Sequence, residues 1–254
     1  MAITETARKK HEELFPNRQS TLKRTDPELV EVFDNFAFDE VLRHGALETK
    51  TRLMAILASL IAQQTLAEYK VMLVGALNVG VAPVEAKKIL YHSAPYVGIA
   101  KALEFIHTTN EVLLSRGVEL PLPAQSTTGP EDRFQKGLAL QKSIFGDPID
   151  RMYEQSPKSQ IHIQRFLSAN CFGDYQTRTA LDVKTRELLT FSILLSLGGC
   201  EPQLKGHIQG NVNVGNDKEF LLGVVTQLLP FIGYPRALNA IACLNEVLPE
   251  PKAS

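Results

Sequence analysis

Apolar residues recur every three or four positions along almost the whole chain. Val71, Val74 and Leu77 keep that step, as do Leu103, Ile106 and Leu113. This is the period of one helix face, and the alternation expected of a half-buried strand is nearly absent. The pattern predicts an all-α fold. It also predicts one series of helices twice. Residues 50–63 pair with 184–197, 66–79 with 201–214, 84–93 with 218–228 and 100–114 with 236–248. Gly80 and Gly215 stand where a left-handed glycine closes a helix. Pro95 and Pro230 are expected to break the pattern, because proline lacks the N–H of the next helical turn. Segments 5–15 and 132–146 read as amphipathic helices introducing each series. Between the series, the stretch 121–130 is rich in Pro, Gly, Ser and Thr and reads as a linker.

The repetition extends to residue identity. Asn78 and Asn213 stand 135 residues apart, and at that spacing Gly80, Pro95, Gly98, Ala102 and Leu103 meet Gly215, Pro230, Gly233, Ala237 and Leu238. Both copies close on Asn-Glu-Val-Leu, and LETKTR (47–52) answers LDVKTR (181–186) one residue out of step. The chain therefore divides into a first helical repeat over 1–120, a linker over 121–131 and a second repeat over 132–254. Residues shared by the copies serve the common fold. Reactive groups present in one copy alone mark where chemistry sits.

By that test the second copy is the reactive one. Its second helix opens Cys200-Glu-Pro202-Gln203, with Cys200 at the N-cap and Pro202 at an early helical position. A thiolate there would face the positive end of the helix dipole, which lowers a cysteine pKa. His207 lies two turns further along the same face. Glu187 lies on the preceding helix, and an antiparallel hairpin about Gly198-Gly199 would bring it level with His207–Asn211. The first copy has Leu53, Thr65 and Met72 in place of Glu187, Cys200 and His207. There, Thr65 with Glu68 three residues later reads as a capping box. The first repeat is expected to be degenerate, a scaffold.

Composition narrows the classes. Twenty-seven Lys and Arg balance 28 Asp and Glu, which leaves no basic stripe for nucleic acid. The longest apolar run, 53–62, is about half a membrane span. The N-terminal residues are charged, unlike a signal peptide. These features predict a cytoplasmic protein with neither nucleic-acid nor membrane partners. Three scattered cysteines, Cys171, Cys200 and Cys243, do not make a disulfide framework. One His with one Cys falls short of a zinc site, and no Gly-rich nucleotide loop appears, so neither metal nor cofactor is expected.

The succession Arg186-Glu187-Leu-Leu, Gly-Gly-Cys200-x-x-Gln203-x-x-x-His207, Gly215 and Pro230-Phe-Ile-Gly233-Tyr-Pro resembles the carboxymuconolactone decarboxylase family, which includes the alkylhydroperoxidase D proteins. The likeness covers about 28–114 and 162–248. It implies an all-helical fold assembled as a homo-oligomer, a trimer for double-domain chains. In the peroxidase branch the motif is Cys-x-x-Cys-x-x-x-His with an upstream Glu. Its first Cys falls on Cys200, its His on His207 and its Glu on Glu187. Its second Cys, which attacks peroxide, falls on Gln203, so the motif's own disulfide is lost. The decarboxylase branch also has a histidine here.

Three functions follow as expectations. The leading one is a thiol-dependent hydroperoxide reductase with Cys200 as nucleophile and His207, oriented by Glu187, moving the proton. Cys171, Cys243 or an external thiol reductant would resolve the sulfenic acid. The second is a cofactor-free decarboxylase of a small carboxylated lactone, in which His207 and Glu187 act without the thiol. The third is a non-catalytic ligand-binding or assembly protein. Gln203 and Tyr234 are the candidate substrate contacts.

Overall fold

The computed structural model describes residues 2–18 and 20–250, and the described residues contain helices and no strand. In the first repeat these are α1 (Glu5–Leu14), α2 (Leu22–Thr25), α3 (Pro27–Asn35), α4 (Thr49–Gln63), α5 (Leu66–Asn78), α6 (Pro83–Val97) and α7 (Ile99–Ser115). The second repeat has α8 (Arg133–Phe145), α9 (Pro148–Gln155), α10 (Ile161–Phe166), α11 (Val183–Leu197), α12 (Glu201–Asn213), α13 (Lys218–Ile232) and α14 (Tyr234–Val247). Wide π-helical turns at Phe36–Glu40 and Leu167–Gln176 occupy matching places before α4 and α11. Among the described residues no helix is long and apolar enough to cross a membrane.

Both copies share one core. α4 is buried on every side from Arg52 to Ala62, and α11 from Glu187 to Ser196. A helix apolar all round belongs at the centre of a fold. The two pack together, and Ser196 Oγ donates to Ser59 Oγ at 2.7 Å. Each fully buried leucine or isoleucine there, such as Leu53, Ile56, Leu189 and Ile193, contributes about 1.5–3 kcal/mol.

Helix ends follow local chemistry. Asp182 caps α11 by accepting from Thr185 N, and Asp217 caps α13 by accepting from Phe220 N. Gly80 (φ 89°) and Gly215 (φ 93°) terminate α5 and α12 as expected. Two expectations are corrected. Pro95 and Pro230 do not break their helices but lie inside the last turns of α6 and α13. Each proline lacks only the N–H that would reach the carbonyl four residues back, at Tyr91 or Thr226, and the helix continues past it until Gly98 (φ 84°) and Gly233 (φ 76°) end it. Thr65 forms no capping box either. Its hydroxyl donates to Leu60 O at 3.2 Å instead.

The copies exchange their leading segments. α13 of the second copy receives residues 36–47 of the first: Gln227 Nε2 donates to Val41 O at 2.8 Å and to His44 O at 3.1 Å. Contact is so close at Gly45 (φ 88°) that an added Cβ would lie 2.9 Å from Gly223 Cα. α6 of the first copy receives 167–176 of the second, through Lys88 Nζ to Tyr175 O. The linker is laced to the same segment, with Thr127 and Thr128 hydroxyls donating to Thr177 O and Gly173 O.

Candidate functional site

Glu187 sits in the second turn of α11 and His207 in the middle of α12. The antiparallel hairpin brings them level, and His207 Nδ1 meets Glu187 Oε2 at 2.8 Å. Glu187 is 0% exposed and the His207 side chain 14%. Glycine at 210 makes room. A Cβ there would come within 2.9 Å of Glu187 Oε2 and 2.6 Å of Phe145 Cε1. Asn211 fixes the hairpin by donating to the backbone carbonyls of Glu187 (3.0 Å) and His207 (2.7 Å). With the carboxylate as acceptor, Nδ1 is the donor and Nε2 carries the lone pair. Among the described residues Nε2 has no hydrogen-bond partner, and neither has the buried Glu187 Oε1.

Aromatic rings frame the imidazole. Phe145 of α8 stands edge-on at 5.2 Å between centroids and Tyr96 of α6 at 6.3 Å. Behind them lies a buried polar chain. Thr190 Oγ1 contacts His92 Nε2 at 2.9 Å and Tyr96 OH at 3.2 Å, while Gln176 Nε2 donates to Tyr96 OH at 2.9 Å. Burial pushes the Tyr96 phenol well up and the His92 imidazole well down, so both stay neutral. His92 and Tyr96 come from the copy expected to be scaffold alone. The packing of α6 on α11 brings them here, and the sequence reading missed them. A signal was available: Gln227 and Phe231 stand in their places in the other copy.

Cys200 occupies the N-cap of α12 as expected, but its thiol does not serve the helix start. Sγ turns back and donates to Leu194 O at 3.3 Å, at the carbonyl end of α11. The lowered pKa expected of it is corrected. Burial, with the charges of Glu201 and Cys243, pushes the thiol up. His207 lies seven residues on, about 10 Å along the helix axis. Glu187 and His207 are therefore together, and no hydrogen bond joins Cys200 to either. Cys200 borders a cleft of only about 10 Å³ with Leu204, Arg236 and Asn239. Gln203 is exposed and makes no capping bond. Tyr234 is 62% exposed at the first position of α14. Cys243 is near enough for its charge to raise the Cys200 pKa. Cys171 lies apart beside Tyr96, where burial pushes its thiol up to about 12.

The same location in the first copy holds a cavity of about 550 Å³. Met72, Phe15, Phe38 and Phe231 line it where the second copy has His207, Phe145, Phe172 and Tyr96. Glu68 borders that space, and burial raises its pKa. One architecture thus carries a chamber of mixed lining on one side and the His207–Glu187 pair on the other.

Comparison with known proteins finds the same duplication. The sequence profile of the Carboxymuconolactone decarboxylase family matches residues 27–111 and again 162–246. A 4-carboxymuconolactone decarboxylase from Acinetobacter baylyi is 28% identical over 118 residues, which is 46% of this chain and 87% of that protein. The matched stretch is about as long as one copy.

Proposed function

Because this chain belongs to the carboxymuconolactone decarboxylase family, which its sequence matches in two tandem copies, we propose that it is a cofactor-free enzyme whose reaction is proton transfer by the His207–Glu187 pair. The observation that carries the reading is the 2.8 Å contact of a fully buried carboxylate with Nδ1, which leaves Nε2 uncommitted between two aromatic rings. A carboxylate behind an imidazole holds the ring and its tautomer and stabilises the cation formed when Nε2 takes a proton. The named relative suggests the substrate class, a small lactone bearing a carboxylate. In such a reaction the C–C bond to the carboxylate breaks and the group leaves as CO₂. The electron pair of that bond passes into the adjacent unsaturated system, and His207, having taken a proton from solvent at Nε2, gives it to carbon.

The location of Cys200 weakens the hydroperoxide reading. Its thiol is pushed up, donates to a carbonyl and lies away from the imidazole. The nearness of Cys243, whose charge acts on Cys200, is what favours a thiol role, as a partner that could resolve an oxidised Cys200. Ring-shaped homo-oligomers are part of the proposal. Ile99, Leu103, Tyr234 and Leu238 occupy matched places on α7 and α14 and are exposed at 45–62%, an apolar surface suited to subunit contact.

Carboxymuconolactone turnover, followed as loss of substrate absorbance, tests the reading. His207→Ala and Glu187→Gln should lose at least about 100-fold in kcat, the usual scale of general acid–base catalysis. Cys200→Ser should keep wild-type rates. Hydroperoxide consumption that vanishes in Cys200→Ser, with no lactone turnover in the wild type, would reverse the assignment.

A further inference from the structure

A second cavity, of about 460 Å³, lies between α6 and the linker, and neither Glu187 nor His207 lines it. Lys87, Lys88 and Tyr91 of α6 form its floor. Arg178, just before α11, forms one wall and Asn110 of α7 another. Residues 120–125 close it. No Asp or Glu lines this space. The hydrogen-bond and ring partners of the three are neutral: Lys87 Nζ donates to Asn110 Oδ1, Lys88 Nζ donates to Tyr175 O, and the Arg178 guanidinium lies 4.9 Å from the centre of the Tyr91 ring. Three basic side chains have thus been gathered from two elements around a space lined by no carboxylate, an arrangement that an anion would complete.

The duplication shows that the fold does not require this. Leu222, Gly223 and Thr226 replace Lys87, Lys88 and Tyr91 in the second copy, and His44 replaces Arg178 in the first. There the exchanged segment settles directly onto Gly223. On this side Lys88 is 2% exposed, and its long side chain reaches the segment across the gap. We propose that this cavity is a binding site for a small organic anion, its carboxylate held by Lys87, Lys88 and Arg178 beside the Tyr91 ring. The proposal stands apart from the reaction assigned to His207.

Protonation follows from the geometry. Burial, then the charges of Arg186 and Arg178, lowers the Lys88 pKa to about 6, against a smaller raising effect of Cys171. His92 lies one turn further along α6, buried and neutral. In the empty cavity Lys88 is therefore uncharged at neutral pH. A carboxylate beside it restores the ammonium, so binding draws a proton from solvent.

Isothermal titration of the full chain with adipate tests this, at about pH 7.5 in two buffers of different ionisation enthalpy. The wild type should bind adipate with net proton uptake. Arg178→Gln and Lys88→Met should each weaken binding about tenfold or more, the scale of one charge-assisted hydrogen bond, and Lys88→Met should abolish the uptake. If Lys88→Met does not fold, Arg178→Gln and Lys87→Gln decide the matter from the rim. Absence of adipate binding, unchanged affinity in the variants, or preference for inorganic phosphate over adipate would each overturn the proposal.

Discussion

Replacing Glu187 and His207 by the residues their counterparts carry should reveal how strongly the two depend on each other. His207→Met alone leaves a carboxylate with 0% exposure and no partner on either oxygen, a loss of about 3–5 kcal/mol. Glu187→Leu alone leaves Nδ1–H unanswered in a mostly buried ring, at about 1–3 kcal/mol. The double variant Glu187→Leu/His207→Met recreates the pair Leu53 and Met72, which are 0% and 1% exposed within the same helical frame. Exchanging a buried, hydrogen-bonded polar pair for packed apolar side chains is commonly neutral, so the double variant should lie within about 1–2 kcal/mol of the wild type. The coupling energy should then exceed about 2 kcal/mol, with the double variant more stable than His207→Met. Urea unfolding followed by circular dichroism at one protein concentration gives all four corners of the cycle. Effects additive within about 0.5 kcal/mol would refute the view that these side chains form one buried unit.

Three further outcomes follow. Gly210→Ala should destabilise by about 1–3 kcal/mol through collision with Phe145 and Glu187, whereas Gly206→Ala on the same helix, with nothing within 4 Å, should gain about 0.5–1 kcal/mol; equal unfolding midpoints would contradict the packing described. Cys200 should react with a disulfide reagent at neutral pH more slowly than an unfolded-chain thiol, because burial raises its pKa above 9.0; faster labelling would show an activated thiolate. The folded state binds Lys88's proton only below about pH 6, and the unfolded chain binds it up to about 10.5, so the penalty is fully present below 6 and fades as pH rises to 10.5. Lys88→Met should therefore be more stable than wild type near neutral pH and should flatten a stability slope of up to about 1.4 kcal/mol per pH unit; unchanged slopes in thermal or urea unfolding would contradict this.

The helices and the Glu187–His207 contact were legible because both rest on local spacing. A hydrophobic period sets each helix, and a short Gly-Gly turn fixes the height of one against the next. The Cys200 direction was not legible, since an N-cap position leaves a side chain free to turn either way and the Leu194 carbonyl competes for it. Prolines 95 and 230 misled because the loss of one N–H bond does not by itself end a helix that is packed on its neighbours. Lys88, His92, Tyr96 and Arg178 were missed for a different reason. They meet only where one copy packs against the other, which no local pattern encodes. Comparing the copies in both directions would have flagged Lys88 against Gly223 and Tyr96 against Phe231, because polarity in the first copy is as informative as polarity in the second.

The exchanged leading segments carry an evolutionary consequence. When identical units embrace by such a swap, every surface must fit a replica of itself, so a change on one side appears on both. Fusion into one polypeptide removes that restriction and keeps the embrace intramolecular at high effective concentration. Lysine opposite a carbonyl on one flank and glycine against glycine on the other is a combination that no symmetric pair of chains could encode.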